Sequence, residues 1–230
     1  MQLPCPLIEG RLVRRYQRFL ADVELADGRL VTAHTPNTGS MLQCAVPGYP
    51  VMLSKSDNPQ RKLAWSWELV GVNDHWVDIN THRANRVVEE ALRNNVIPGL
   101  QGYAVRPEFS YADSRIDFML TNSTAKTLLE VKNVTLCCEP QVACFPDAVT
   151  MRGQKHLRDL VAALQEGWRA VIFFLVQRGE AEAFTPADAI DPAYGRLLRE
   201  AVEAGVEALA YRTVVSPTEN RLGEPLAILL

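Results

Sequence analysis

The sequence predicts two unlike folds in succession: a small OB-type β-barrel, then an α/β domain with a mixed sheet flanked by helices. Three observations predict this. Between residues 7 and about 80, short strand-like runs alternate with turn signals and show no helical period. From residue 81 the apolar period becomes that of an amphipathic helix. Further on, Arg169 to Val176 is a continuous apolar run, the mark of a strand buried on both faces. The change of period at about residue 82 divides the chain into a barrel domain, residues 1–82, and an α/β domain, residues 83–230.

In the first part, Leu7 to Leu25 reads as one long extended segment closed by the Ala26-Asp-Gly28 turn. Arg29–His34, Tyr49–Lys55, Leu63–Val72 and Trp76–Ile79 supply four more strands, and a barrel of five strands is commonly an OB-fold. Arg11, Arg14, Arg15, Arg18, Lys55, Arg61 and Lys62 are interleaved with Tyr16, Phe19, Trp65 and Trp67. Such a set makes either a stacking and phosphate-binding face for nucleic acid or a barrel filled by its aromatics beneath solvated charges.

In the second part, Ala84, Val87, Val88, Ala91 and Leu92 form the first helix stripe, with Asn80 or Thr81 as cap. Glu89 and Glu90 both flank that stripe, and periodicity does not choose between them. Leu157, Leu160, Val161 and Leu164 mark a second helix, on which Gln154 projects close to the stripe. A third helix covers residues 193–204 with Gly205 at its C′ position, followed by strands over Val206–Thr213 and Pro225–Leu230.

Between the first two helices lie Arg115-Ile-Asp-Phe-Met-Leu and Leu129-Glu-Val-Lys-Asn133, joined by a polar hairpin connection. Strand alternation places Glu130 and Lys132 on one face, and the hairpin brings Asp117 towards them. Burying such charges unpaired is costly, so the arrangement suits a site better than a core. Two carboxylates at a hairpin can hold Mg²⁺, and a neighbouring lysine can orient one of its waters. The competing reading is a surface hairpin with a Glu/Lys ion pair.

Composition limits the alternatives. With 47% hydrophobic residues in 230, the chain can bury one large core or two small ones. A net charge of −3 does not advertise nucleic-acid binding, so any such role needs a local basic surface. No apolar stretch approaches the ~20 residues that cross a bilayer, and the first residues lack a signal-peptide pattern, which predicts a cytoplasmic protein. The five cysteines lack framework spacing and read as reduced thiols. A zinc set of Cys137, Cys138, Cys144 and His156 is disfavoured, because adjacent cysteines are not the usual zinc knuckle.

An Asp followed by Glu-x-Lys in the next strand, within an αβββαβ core, resembles the PD-(D/E)XK nuclease superfamily. The whole chain resembles the bacterial sugar fermentation stimulation protein A (SfsA) family. The resemblance rests on Arg15-Tyr-Gln-Arg-Phe-Leu-Ala-Asp-Val23, His34-Thr-Pro-Asn-Thr-Gly39, Ser114-Arg-Ile-Asp-Phe118, Glu130-Val-Lys-Asn-Val-Thr135, Phe145-Pro-Asp-Ala-Val149 and Arg152-Gly-Gln-Lys-His-Leu157. It implies an N-terminal OB-fold joined to a nuclease-like domain, in a DNA-binding protein linked to sugar (maltose) metabolism. Carried over residue by residue, Asp117, Glu130 and Glu90 would ligate Mg²⁺ or Mn²⁺, and Lys132 would orient the water. Gln154 would complete the catalytic set and Arg115 would contact a phosphate. Ile116 stands where the superfamily has its leading proline. Two functions are thereby expected: a largely non-specific DNA-binding regulator built on a nuclease scaffold, or an active nuclease on single-stranded or frayed nucleic acid. No recognition helix of the helix-turn-helix kind is present for operator reading.

Overall fold

A computed structural model describes residues 1–230. The segment Leu7–Leu25, expected as one extended run, is two strands. β1 (Ile8–Tyr16) and β2 (Leu20–Leu25) form an antiparallel hairpin around Gln17 and Arg18, both at positive φ. Neither Gly nor Asn marks this turn, so its usual sequence cue is missing. β3 (Leu30–His34), β4 (Pro50–Lys55) and β5 (Trp65–Val72) complete a ring in the order β3-β2-β1-β4-β5, closed by a parallel β3–β5 contact. β6 (His75–Asp78) pairs with β5 outside that ring. The five-stranded OB-type barrel is therefore present, with the first segment supplying two of its strands and the last none. Leu12, Val23, Ala33, Leu53, Val70 and Trp67 fill it, and the Trp67 Nε1 donates to the Leu69 carbonyl at 2.8 Å. Trp67 is thus core and unavailable for stacking on a base.

The second domain opens with α1 (Thr81–Arg93), capped by the Asn80 side chain, which accepts from the His82 amide. β7 (Ala104–Tyr111), β8 (Ser114–Thr121) and β9 (Lys126–Val134) follow as an antiparallel run. Then come β10 (Leu136–Glu139), β11 (Val142–Phe145), α2 (Met151–Gln165), β12 (Arg169–Val176), β13 (Ala183–Pro186), α3 (Pro192–Glu203), β14 (Glu207–Val215), β15 (Asn220–Pro225) and β16 (Ala227–Ile228). The main sheet has the order β15-β14-β12-β9-β8-β7, with β12 parallel to both neighbours. Val171, Phe173 and Leu175 of β12 pack in the cluster with α1, whereas Ala170, Ile172 and Phe174 pack in the cluster with α2 and α3. That two-sided burial explains its unbroken apolar sequence. A second sheet, β10-β11-β13-β16, is anticipated only at β16, which falls within the strand expected over Pro225–Leu230; the others are four residues long, too short to show a period. β7 escapes the pattern as an edge strand with Pro107 at its middle and largely exposed residues. The expectation of five unpaired thiols is corrected for one pair: β10–β11 pairing brings Cys138 and Cys144 to a Cα separation of 5.9 Å, disulfide distance, while Cys5, Cys44 and Cys137 are free. No helix is long and apolar enough to cross a membrane.

The two domains are joined by polar contacts on two sides, buried around Arg83 and more exposed around Asp147. The Arg83 guanidinium, at the start of α1, donates to both Asp78 oxygens at 2.9 Å and is ion-paired with Glu68 of β5. Asn220 Nδ2 reaches the same Asp78 carboxylate at 2.8 Å from β15. On the other side, Asp147 accepts from Ser40 Oγ at 2.7 Å and from the Met41 amide at 3.0 Å. Removing Arg83 leaves two buried carboxylates without their cation, so Arg83→Ala should lose about 3–5 kcal/mol of unfolding free energy in a urea titration.

Candidate active site

β8 and β9 stay paired as far as Phe118 and Leu129, and there the antiparallel ladder ends. β9 continues beside β12, while β8 continues beside β7. Asp117 and Glu130, next in register, stand at this fork and use their side chains where ladder bonds would have been. The Val131 amide donates to Asp117 Oδ2 at 2.8 Å, and the Asp117 amide donates to Glu130 Oε2 at 3.3 Å. Asn85 of α1 donates to Asp117 Oδ1 at 2.7 Å. Glu130 and Lys132 point the same way from β9, with Lys132 Nζ 2.8 Å from Glu130 Oε1, and both are buried. The surface ion pair weighed from sequence is therefore not what the chain builds.

His156, from α2, presses its Nδ1 against the same Glu130 oxygen and lies 3.2 Å from Lys132 Nζ. Arg152 Nε donates to His156 Nε2 at 3.3 Å. An arginine nitrogen can only donate, which assigns the ring proton to Nδ1, facing Glu130. Burial would raise the Glu130 carboxyl, but Lys132 and His156 together hold it below the usual glutamate range. Asp117 goes the other way: burial and then the charge of Glu130 push it up to about 6, against its bonds from Val131 and Asn85. One carboxylate is compensated by neighbouring donors and the other is not. The pair opens into a cleft of about 480 Å³, walled by Asn37, Thr38 and Gly39 of the barrel, by the start of α1, and by Arg152. Asp117 and Glu130 are oxygen donors of the kind a divalent cation takes, but no group of three Asp, Glu, His or Cys side chains is arranged to hold an ion, so the rest of an oxygen shell would have to come from solvent or substrate.

Several expected site residues lie elsewhere. Glu90 accepts from the Met1 amine at 3.0 Å on the far side of α1, where it is exposed. The helix turns about 140° between Asn85, which reaches Asp117, and position 90, so the two cannot share a face. Glu89 binds Arg93, so neither glutamate belongs to the cleft. Gln154 is buried but donates to Asp191, the cap of α3, at 3.0 Å and 3.1 Å. His156, two residues on, takes the place facing Glu130. Arg115 is exposed and ion-paired with Glu108. Sequence reasoning missed His156, Arg152 and Asn85. The i, i+4 spacing of Arg152 and His156 within one motif was the available signal.

On the barrel, Arg14 is ion-paired with Asp22 at 2.8 Å, Arg11 donates to the Gly48 carbonyl and Arg18 to the Thr38 carbonyl. Arg15 is spent on the carbonyls of Arg18, Asn37, Gly39 and Ser40. Lys55 sits over the Trp65 ring, Arg61 donates to Ser66, and Lys62 is exposed nearby.

Fold and site define a two-domain protein, an OB-type barrel closing over a mixed α/β domain whose Asp–Glu–Lys set resembles that of the PD-(D/E)XK nucleases. Residues 13–79 match the SfsA N-terminal OB domain, and residues 82–219 match the sugar fermentation stimulation protein RE domain. The chain belongs to the sugar fermentation stimulation protein family. A homologue from Syntrophotalea carbinolica is 66% identical over 230 residues and one from Geobacter metallireducens 58% over 233, each match covering the whole of both chains. The solved structure of Pyrococcus furiosus SfsA in complex with Ca²⁺ superposes with a TM-score of 0.91 at 26% identity, covering 100% of this chain and 98% of that one.

The raised Asp117 carboxyl gives a stability prediction. Its charged form is disfavoured in the folded chain, so the cost is absent below the usual aspartate range, grows as pH rises to about 6, and is fully present above it. Asp117→Asn should therefore melt about 4 °C or more above the parent at pH 8 in EDTA, with the gap closing near pH 4. Added CaCl₂ or MgCl₂ should raise the parent's melting temperature and leave the variant's unchanged.

Proposed function

We propose that the chain is a divalent-metal-dependent phosphodiesterase acting on nucleic acid. The observation that carries this reading is the Asp117–Glu130–Lys132 set at the parting of β8 and β9, with Glu130 and Lys132 buried and the half-buried Asp117 open to the interdomain cleft. The Pyrococcus furiosus relative was solved in complex with Ca²⁺, which supports a divalent ion in this family. Asp117 and Glu130 would hold Mg²⁺ or Mn²⁺, which when bound polarises a scissile phosphate and lowers the pKa of a bound water. Lys132, anchored on Glu130, would orient the attacking water and steady charge that develops on the phosphate. His156 and Asn85 would keep the two carboxylates in place. The barrel loop Asn37–Gly39 would exclude bulk water from one side and favour a single or frayed strand over a rigid duplex.

Labelled single-stranded and duplex DNA should be cut with Mg²⁺ or Mn²⁺, and Lys132→Ala, which also loses stability by leaving Glu130 without its cation, should slow cutting at least a hundredfold when assayed well below its own melting temperature. Equal rates in variant and parent would sink the reading.

A second reading, a DNA-binding regulator of sugar catabolism that uses the nuclease fold as a scaffold, has one observation in its favour. Lys55, Arg61 and Lys62 lie free of acidic partners at one end of β4 and β5, beside the half-exposed Trp65. Charge reversal of Lys55 and Lys62 should then weaken DNA binding about tenfold or more at low salt. Retained binding would remove the barrel from the interface.

A further inference from the structure

The cations around the cleft differ in one respect. Lys132 is paired with Glu130, Arg115 with Glu108, and Arg15 and Arg18 with backbone carbonyls. Arg152 lines the cleft, is exposed, and has no acidic partner; its one hydrogen bond runs from Nε to His156 Nε2. That bond fixes the plane of the guanidinium and leaves its two terminal nitrogens unengaged. A planar fork with two free N–H edges matches two non-bridging oxygens of one phosphodiester. The same imidazole that holds Arg152 touches Glu130 through its other nitrogen. One buried ring therefore sets the position of the free cation relative to the acidic pair.

We propose that Arg152 is the phosphate-binding residue of the cleft, engaging the non-bridging oxygens of a nucleic-acid phosphodiester, and that His156 is the positioning residue that aims it. This rests on the phosphodiesterase reading. Arg152 takes over the role that the sequence suggested for Arg115, whose charge Glu108 already answers. His156→Asn is the informative variant of the ring, because an asparagine amide can still donate towards Glu130 but no longer reaches Arg152.

The experiment uses the full chain with a short fluorescent oligodeoxythymidylate: binding by anisotropy in CaCl₂ across a salt series, and cleavage in MnCl₂. Arg152→Ala should weaken binding about 10- to 100-fold and raise KM more than it lowers kcat. The slope of log affinity against log salt should shrink by about 0.7, the loss of one phosphate contact on a single strand, which a purely structural defect would not produce. Arg152→Lys should recover part of the affinity, and Arg158→Ala, on the exposed side of the same helix, should match the parent. His156→Asn should weaken binding in the same way, and the double variant should be no weaker than Arg152→Ala alone. Cleavage by the parent with unchanged affinity and slope in Arg152→Ala would overturn this inference and leave the phosphodiesterase reading standing. Additive losses in the double variant would overturn the positioning role of His156. Neither binding nor cleavage by the parent would overturn both the inference and the reading beneath it.

Discussion

The fork between β8 and β9 is the constraint on which the rest of the site depends. β9 has two neighbours with different demands: β8 pairs with it antiparallel near the hairpin, and β12 runs parallel along its whole length. Past Phe118 and Leu129, β9 stays with β12 and β8 leaves. Backbone amides at such a parting must still be satisfied, and the nearest acceptors are the side chains of the residues that part. Carboxylates can accept several donors at once. Placing Asp117 and Glu130 there satisfies the amides of Val131 and Asp117, and it also forces two negative groups together in a partly dry place.

Everything packed around the fork answers that electrostatic cost unevenly. Lys132 and His156 converge on one oxygen of Glu130, so its charge is secured. Asp117 receives only neutral donors, from Asn85 and the Val131 amide, and its carboxyl rises to about 6. A core built for stability alone would have put an amide at one of these positions. Keeping both acids costs stability, and on the phosphodiesterase reading that cost is exchanged for cation binding. The barrel contributes a fixed wall. Arg15 gathers the carbonyls of the loop at residues 37–40, and Asp147 ties the end of that loop to the second domain. The Arg83 cluster clamps the opposite side of the junction.

Much of this is legible wherever one physical signal acts alone. β12 announces itself because burial on both faces leaves no polar residue in it after Arg169, and α1 because its stripe and the Asn80 cap agree. Asp117, Glu130 and Lys132 can be singled out because strand alternation and a hairpin turn are enough to converge them. The rest needs distances rather than periods. Glu90 flanks the correct stripe but points away from the sheet's open end, which depends on how α1 crosses it. Gln154 and His156 are both buried on α2, and periodicity cannot say which meets β9 and which meets α3. The β1–β2 turn is invisible because non-glycine residues hold the positive φ values.

The cleft's own charge bears on how substrate and cation would act together. With Glu108 paired to Arg115, Asp117, Glu130 and Asp147 line it against Lys132 and Arg152, so the cleft by itself repels a phosphodiester more than it attracts one. On the phosphodiesterase reading, a cation held by Asp117 and Glu130 reverses that balance at the point where the phosphate must sit. Each ligand then improves the site for the other, and thermodynamic reciprocity requires the two enhancements to be equal. An acidic chain of net charge −3 can accordingly handle a polyanion without a broad basic surface, provided the positive charge it needs arrives with the metal.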